Sequence, residues 1–252
     1  MKVKIIETGK IVEINKSDLK FRHRLMCGDS TKSEDVGLLM LDEKADMVFT
    51  DPPYGISIVN KDNVGIDASI GFGKIGIVKA KKYKEIIGDD EYFDPTFLLK
   101  YGDIQIIWGA NNFCDNLPVS AQWLVWDKKC EKGADHNNFS DCELAWTNSP
   151  AKSVRIYRYL WSGLLREGSR DIELKERVHP TQKPVGLLSE ILKDYSKQDD
   201  IVLDLFGGSG STLMACEQTD RQCRMMEIDL VYCQIIINRW QLYTSKKAIK
   251  LN

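Results

Sequence analysis

Residues 51–54 read Asp-Pro-Pro-Tyr and directly follow the apolar run Met47-Val48-Phe49-Thr50. A carboxylate, a proline carbonyl and an aromatic ring therefore stand side by side at the end of an expected strand. A flat base with an exocyclic amine can use all three. Its N–H groups donate to Asp51 and to the Pro52 carbonyl, and its face stacks on Tyr54. Taken alone, the same residues also read as a turn built on Pro52 and Pro53 after a strand.

A second motif lies in the other half of the chain. Residues 201–212 read IVLDLFGGSGST. Ile201 to Leu205 is long enough for a buried strand, and Gly207, Gly208 and Gly210 then open an apolar helical pattern. A strand that enters a glycine turn and a helix lets backbone approach a ligand closely. The next strand, Cys223 to Met226, ends at Glu227-Ile228-Asp229. An acid about 20 residues after the glycines suits ribose hydroxyls. Nicotinamide sites and S-adenosylmethionine sites share that feature, so the turn and Glu227 alone leave the cofactor open.

These motifs need a frame that brings them together. Short strands are expected at Leu25–Cys27, Asp46–Thr50, Ile104–Trp108, Trp123–Trp126 and Glu143–Trp146. Helices are expected over 33–41, 94–101 and 230–245, and another opens at Pro184 with Leu187, Leu188, Ile191 and Leu192 on its apolar face. The pattern is α/β, a Rossmann-like, doubly wound and mostly parallel sheet. Such sheets bind ligands at the carboxyl ends of their strands. Asp29, Asp51, Asn111, Asp204 and Glu227 all fall there in this reading. Trp108, Trp126 and Trp146 end strands and read as core.

The combination resembles the amino-group DNA methyltransferases, which methylate adenine N6 or cytosine N4. Asp51-Pro52-Pro53-Tyr54 matches their catalytic motif, and Asp204-Leu205-Phe206-Gly207-Gly208-Ser209-Gly210 matches their cofactor motif. The catalytic motif comes first, as in the circularly permuted, beta-class group. Cys27-Gly28-Asp29-Ser30, His179-Pro180-Thr181-Gln182-Lys183-Pro184 and Glu227-Ile228-Asp229 resemble further elements of that group. The likeness runs from about residue 23 to 240.

The resemblance implies the S-adenosylmethionine-dependent methyltransferase fold and that cofactor. Asp29 and Ser30 would face its adenine end, and Glu227, with Ile228 beside it, its ribose. Asp204, Phe206, Gly207, Gly208, Gly210 and Thr212 would line it. Thr181, Gln182 and Lys183 would sit near its methionine end, with Lys183 pairing the carboxylate and Asp51 close by. The target base must leave the duplex and stack on Tyr54. An Asp before Pro-Pro-Tyr favours adenine over cytosine N4 in this family. Cytosine C5 transfer commonly uses a Pro-Cys nucleophile, and no proline here precedes a cysteine. The expected partner is double-stranded DNA. A homodimer and a cognate restriction endonuclease remain open, and so does a non-catalytic DNA-binding or cofactor-sensing role.

Composition bounds the rest. At 252 residues and 43% hydrophobic, the chain reads as a single methyltransferase domain over 1–252. No run approaches a membrane helix, and the charged, alternating start is no signal peptide. Seven scattered cysteines without a Cys-x-x-Cys pair, and three histidines, argue against a zinc site and for a reducing cytoplasm, in a prokaryotic or phage-infected cell. Net charge is only −2, so the distribution carries the argument about DNA. Lys74, Lys79, Lys81, Lys82 and Lys84 cluster within 56–91, read as a mobile loop near the target base. Lys152, Arg155, Arg158, Arg166 and Arg170 fall within 152–178, read as an irregular target-recognition insertion. Lys81, Lys82, Arg155 and Arg158 are the expected DNA contacts.

Overall fold

The computed structural model describes residues 2–7, 10–15, 22–55, 88–130, 140–162, 165–166 and 182–250. Its centre is one eight-stranded sheet. Strands buried on both faces read as near-continuous apolar runs. That is the pattern of Met47–Thr50 (β4), buried throughout, of Ile104–Trp108 (β5) and of Ile201–Asp204 (β11). His23–Cys27 (β3), Trp123–Asp127 (β6), Cys142–Thr147 (β7), Arg155–Arg158 (β8) and Gln222–Glu227 (β12) complete the sheet.

The spatial order is β3-β12-β11-β4-β5-β7-β6-β8. The pairs from β3 through β5 are all parallel, β7 runs antiparallel to β5 and β6, and β8 is parallel to β6. From β11 the chain moves outward to β12, and from β4 it moves the other way to β5. The crevice between β4 and β11 is therefore the topological switch point, where such sheets bind ligands. Two small hairpins form sheets of their own: Lys2–Glu7 (β1) with Lys10–Asn15 (β2), and Trp161–Ser162 (β9) with Leu165–Arg166 (β10).

Helices cover both faces. Met47, Phe49, Ile106 and Trp108 point one way, onto Val185–Tyr195 (α2) and Ser211–Gln218 (α3). Leu187, Leu188, Ile191 and Leu192 supply the α2 face, as its spacing requires. Val48, Ile107 and Leu203 point the other way, onto Val36, Leu39 and Met40 of Ser33–Met40 (α1). The last helix, Leu230–Thr244 (α4), starts at Asp229, whose side chain accepts the Val231 N–H at 2.8 Å. No helix among the described residues is long and apolar enough to cross a membrane.

A buried polar knot anchors the β3 edge. His23 Nδ1 accepts the Cys223 N–H at 3.0 Å, so its proton sits on Nε2, 2.7 Å from Glu217 Oε2. Trp240 Nε1 donates to the same oxygen at 3.1 Å, which joins β3, α3 and α4.

Two sequence expectations differ from the structure. Residues 94–101 form a short 3-10 helix, Pro95–Lys100, capped by Asp94 accepting the Thr96 N–H at 2.9 Å. Arg155–Arg158, expected in an irregular insertion, forms the edge strand β8 of the main sheet. Tyr157 turns inward from that strand and donates to Asp194 at 2.7 Å, while Arg155, Ile156 and Arg158 stay exposed.

Candidate active site

The glycine turn is held from below. Asp204, at the end of β11, accepts the Phe206 N–H at 3.1 Å and the Thr50 hydroxyl at 2.7 Å. Burial pushes its pKa up to about 6. Gly207 N–H reaches Met226 O at 2.8 Å, and Gly210 N–H closes onto Gly207 O at 2.7 Å. Gly210 has φ +80, and a Cβ there would fall 2.9 Å from Ile236. The turn must be glycine at that point.

Glu227 ends the neighbouring strand and holds the same turn. Its Oε2 accepts the Gly208 N–H at 2.7 Å and its Oε1 the Asp229 N–H at 2.9 Å. Burial raises its pKa, although both N–H groups pull it down. Its carbonyl accepts the Gly28 N–H at 3.1 Å, which draws the end of β3 alongside. Asp29 follows there. It accepts the Thr31 hydroxyl at 2.7 Å and the Thr31 N–H at 3.0 Å, and these bonds lower its pKa.

Across the switch crevice, Asp51 leaves β4. Tyr54 donates its hydroxyl to Asp51 Oδ1 at 2.7 Å, and Lys183 pairs with Asp51 Oδ2. The Lys183 ammonium, on a side chain only 5% exposed, also lies 3.3 Å from Glu143 Oε2. Glu143 Oε1 pairs with Lys128. The result is a line of alternating charge from Lys128 to Asp51. Burial raises the Asp51 pKa and outweighs Lys183. Burial also works against the Lys183 ammonium, but Asp51 and Glu143 together raise its pKa. Burial, then Asp51, push the Tyr54 phenol well above its usual range, so it remains a donor.

The Tyr54 turn is fixed on two sides. Asp89 Oδ1 accepts both the Tyr54 N–H, at 3.0 Å, and the Gly55 N–H, at 3.1 Å. The Tyr54 ring lies flat against Gly109, past the end of β5. A Cβ on Gly109 would fall 1.9 Å from the ring.

Both halves open onto one cleft. Thr50, Asp51, Gln182, Lys183, Asp204, Phe206, Gly207, Gly208 and Thr212 are on its wall, with Trp108 at its base. The Trp108 indole N–H is buried and has no hydrogen-bond partner among the described residues. Of the other expected residues, Glu227 adjoins the wall through Gly208, and Asp29, Ser30 and Ile228 follow the neighbouring strand ends. Pro52 is buried and Pro53 half-buried beside Asp51. Arg155 and Arg158 lie on the sheet edge, with Arg158 3.7 Å from Asp127. Thr181, Lys81, Lys82 and most of 56–91 and 162–178 lie outside the described residues.

The sequence reading missed Glu143, Lys128, Asp89 and Gly109. Glu143 begins an apolar strand, where a charge reads as a solvent-facing start. Only its position opposite Lys183 makes it part of the site.

A sequence model of the family described as DNA methylase matches residues 77–238. The Type II methyltransferase M2.MboI of Moraxella bovis is 28% identical over 235 residues, spanning 81% of this chain and 83% of its own. M2.DpnII of Streptococcus pneumoniae is 25% identical over 233 residues, spanning 79% and 84%. Among solved structures, the M1.HpyAVI–SAM complex matches with a TM-score of 0.50 at 19% identity, over 86% of this chain and 99% of that one. The PvuII DNA methyltransferase, described as cytosine-N4-specific, matches at 0.54 and 15% identity, over 86% of both. These two likenesses show the shared fold.

Proposed function

Because the chain belongs to the DNA methylase family of N6 and N4 enzymes, we propose that it transfers a methyl group from S-adenosylmethionine to adenine N6 of a flipped base in double-stranded DNA. One observation carries this reading: Asp51 shares a cleft wall with the glycine turn of Phe206, Gly207 and Gly208.

The cleft suits the donor. A Cβ on Gly208 would meet nothing within 4 Å, so the backbone there lies open to a ligand. Glu227, which accepts the Gly208 N–H at the turn, is read as the acceptor for ribose hydroxyls. The Trp108 N–H, unpartnered among the described residues, supplies a donor for an acidic group. S-adenosylmethionine, when bound, supplies a methyl group already activated on its sulfonium.

The protein's share of the chemistry is placement. The amine of adenine is a poor nucleophile because its lone pair is delocalised into the ring. Asp51 and the Pro52 carbonyl accept its two N–H groups and so localise that pair on nitrogen. The localised amine pair would form the new N–CH3 bond with the methyl group that bound S-adenosylmethionine supplies, and Asp51 would take the released proton or pass it to water. Tyr54, seated on Gly109, offers its other face to the base. Adenine is favoured by Asp rather than Ser before Pro-Pro-Tyr. Arg155 and Arg158, exposed on β8, and Lys81 and Lys82, close after the catalytic turn in sequence, supply charge for phosphates.

The test is nucleoside analysis of unmethylated DNA treated with the protein and labelled S-adenosylmethionine. Labelled N6-methyladenine is expected. Labelled N4-methylcytosine would overturn the choice of base, and no labelled nucleoside would overturn the reaction. Asp51→Ala should abolish labelling while cofactor binding persists.

A further inference from the structure

We propose that Glu143 is a second seat for the Lys183 ammonium, one that receives it when the target amine takes over Asp51. Glu143 is thus a positioning residue for the reaction, and the proposal rests on the methyl-transfer reading above.

Both oxygens of Asp51 are occupied in the free protein. Tyr54 holds Oδ1 at 2.7 Å and Lys183 covers Oδ2. The Tyr54 phenol stays protonated, so Oδ2 is the oxygen that an incoming amine takes over. That displaces Lys183, and a buried ammonium cannot be left without a carboxylate. Glu143 Oε2 is already 3.3 Å away. Its other oxygen is fastened to Lys128, whose ammonium in turn sits 5.0 Å from the Trp126 ring centre. Lys183 is likewise 5.1 Å from the Trp108 ring centre, a cation–π contact that adds to its two carboxylates and replaces neither. A short movement of one flexible side chain therefore hands the ammonium from one carboxylate to the other without leaving it unpaired.

Among the described residues, the other carboxylates beside the site do not offer this exchange. Asp204, across the crevice, is committed to Thr50 and Phe206. Asp89 accepts the Tyr54 and Gly55 N–H groups. Both add negative charge near Asp51 or Tyr54, and neither has a contact with Lys183.

Glu143→Gln removes the second seat and leaves Lys183 on Asp51. Asp51 should then titrate at lower pH, read in the free protein by the carboxyl carbon signal missing from Asp51→Asn. The acidic limb of the kcat profile should move the same way. Turnover should fall by tenfold or more, with KM for S-adenosylmethionine within about twofold. Lys128→Met should act oppositely: Glu143, freed from Lys128, draws Lys183 away, and Asp51 titrates at higher pH. Glu143→Asp keeps a carboxylate and should recover much of the turnover.

A folded Glu143→Gln protein with unchanged Asp51 titration and turnover overturns the proposal. So do shifts of the same sign in Glu143→Gln and Lys128→Met. If Glu143→Gln does not fold, the doubly substituted Glu143→Gln, Lys128→Met chain removes one charge of each sign and should still lower the Asp51 titration; no shift there overturns the proposal as well. Absence of methyl transfer by the unsubstituted protein defeats the functional reading instead, and the titrations in the free protein report on the lysine exchange separately.

Discussion

Thr50 donates its hydroxyl to Asp204 at 2.7 Å, across the crevice between two adjacent parallel strands whose residues are 154 apart in sequence. This bond ties the strand that leads into Asp51 to the strand that leads into the glycine turn. Thr50 is 1% exposed and Asp204 3%, so water cannot replace the lost donor. Thr50→Val should cost about 1–3 kcal/mol of stability, the usual penalty for leaving a buried acceptor short of a partner. It should also raise the Asp204 pKa further. Thr50→Ser should recover most of both. Urea denaturation of the three proteins measures the effect, and equal stability of Thr50→Val and the unsubstituted chain would show that the bond contributes nothing.

The parallel core was legible because each strand is a short apolar run ended by a functional residue. Ile104–Trp108 is read from sequence with the bounds the structure gives it. Arg155–Arg158 was not legible as a strand. Three of its four residues face solvent, so its charges hide an edge strand whose pairing with β6 is set by distant residues. Lys183 was legible as a residue of the site but not by its partners. The sequence reading gives it a cofactor carboxylate, whereas the structure gives it Asp51 and Glu143. That pairing depends on β7 lying antiparallel between β5 and β6, a register no local pattern records.

Glu227 serves its neighbouring backbone as well as any ligand. Glu227→Ala removes the acceptor of both the Gly208 and Asp229 N–H groups. It should weaken S-adenosylmethionine binding by roughly 1.5–3 kcal/mol, the range for charge-assisted hydrogen bonds. Stability should fall at the same time. Glu227→Gln keeps one acceptor oxygen and should lie between the two. Calorimetric titration and urea denaturation separate the effects, and an unchanged dissociation constant for folded Glu227→Ala would remove Glu227 from the binding site.

The His23–Glu217 pair makes the fold sensitive to acid. Burial lowers the His23 pKa from 6.5 to about 4, against the pull of Glu217. Stability from the neutral ring is therefore complete above pH 6.5 and is lost as pH falls toward 4, because the unfolded chain takes up the proton first. Glu217 is lowered from 4.5 to about 2, by Lys246, Trp240 and His23 against burial, so its share is lost between pH 4.5 and 2. Asp204 acts in the opposite sense: its raised pKa adds stability as pH falls from about 6 toward 3.8. The sign is clearest as a difference. The stability advantage of the unsubstituted chain over His23→Asn should shrink as pH falls from 6.5 to 4, by an amount on the order of 1–3 kcal/mol. Denaturation at a series of pH values tests it, and a constant difference would show that His23 does not titrate below its ordinary value.

Gly109 is the seat of the Tyr54 ring, and its absent side chain sets where the ring lies. Its φ is +69, and an added Cβ would fall 1.9 Å from the ring and 2.3 Å from the carbon that bears the hydroxyl. Gly109→Ala must therefore strain the backbone and lift the ring. Lifting the ring also pulls the hydroxyl off Asp51 Oδ1, so both the stacking face and the acceptor are disturbed. Turnover should drop by about a hundredfold, the scale for a misplacement of about an ångström at a reacting centre. The glycine turn is on the other side of the crevice, so S-adenosylmethionine affinity should stay within a few-fold. Gly37→Ala is the matched control. A Cβ there meets nothing within 4 Å, and the position lies in the interior of α1. It should leave turnover unchanged and add about 0.5–1 kcal/mol of stability through helix propensity. Steady-state turnover, calorimetry and urea denaturation on the two variants decide the matter. Normal turnover in a folded Gly109→Ala protein would mean that the position of Tyr54 does not matter to the chemistry.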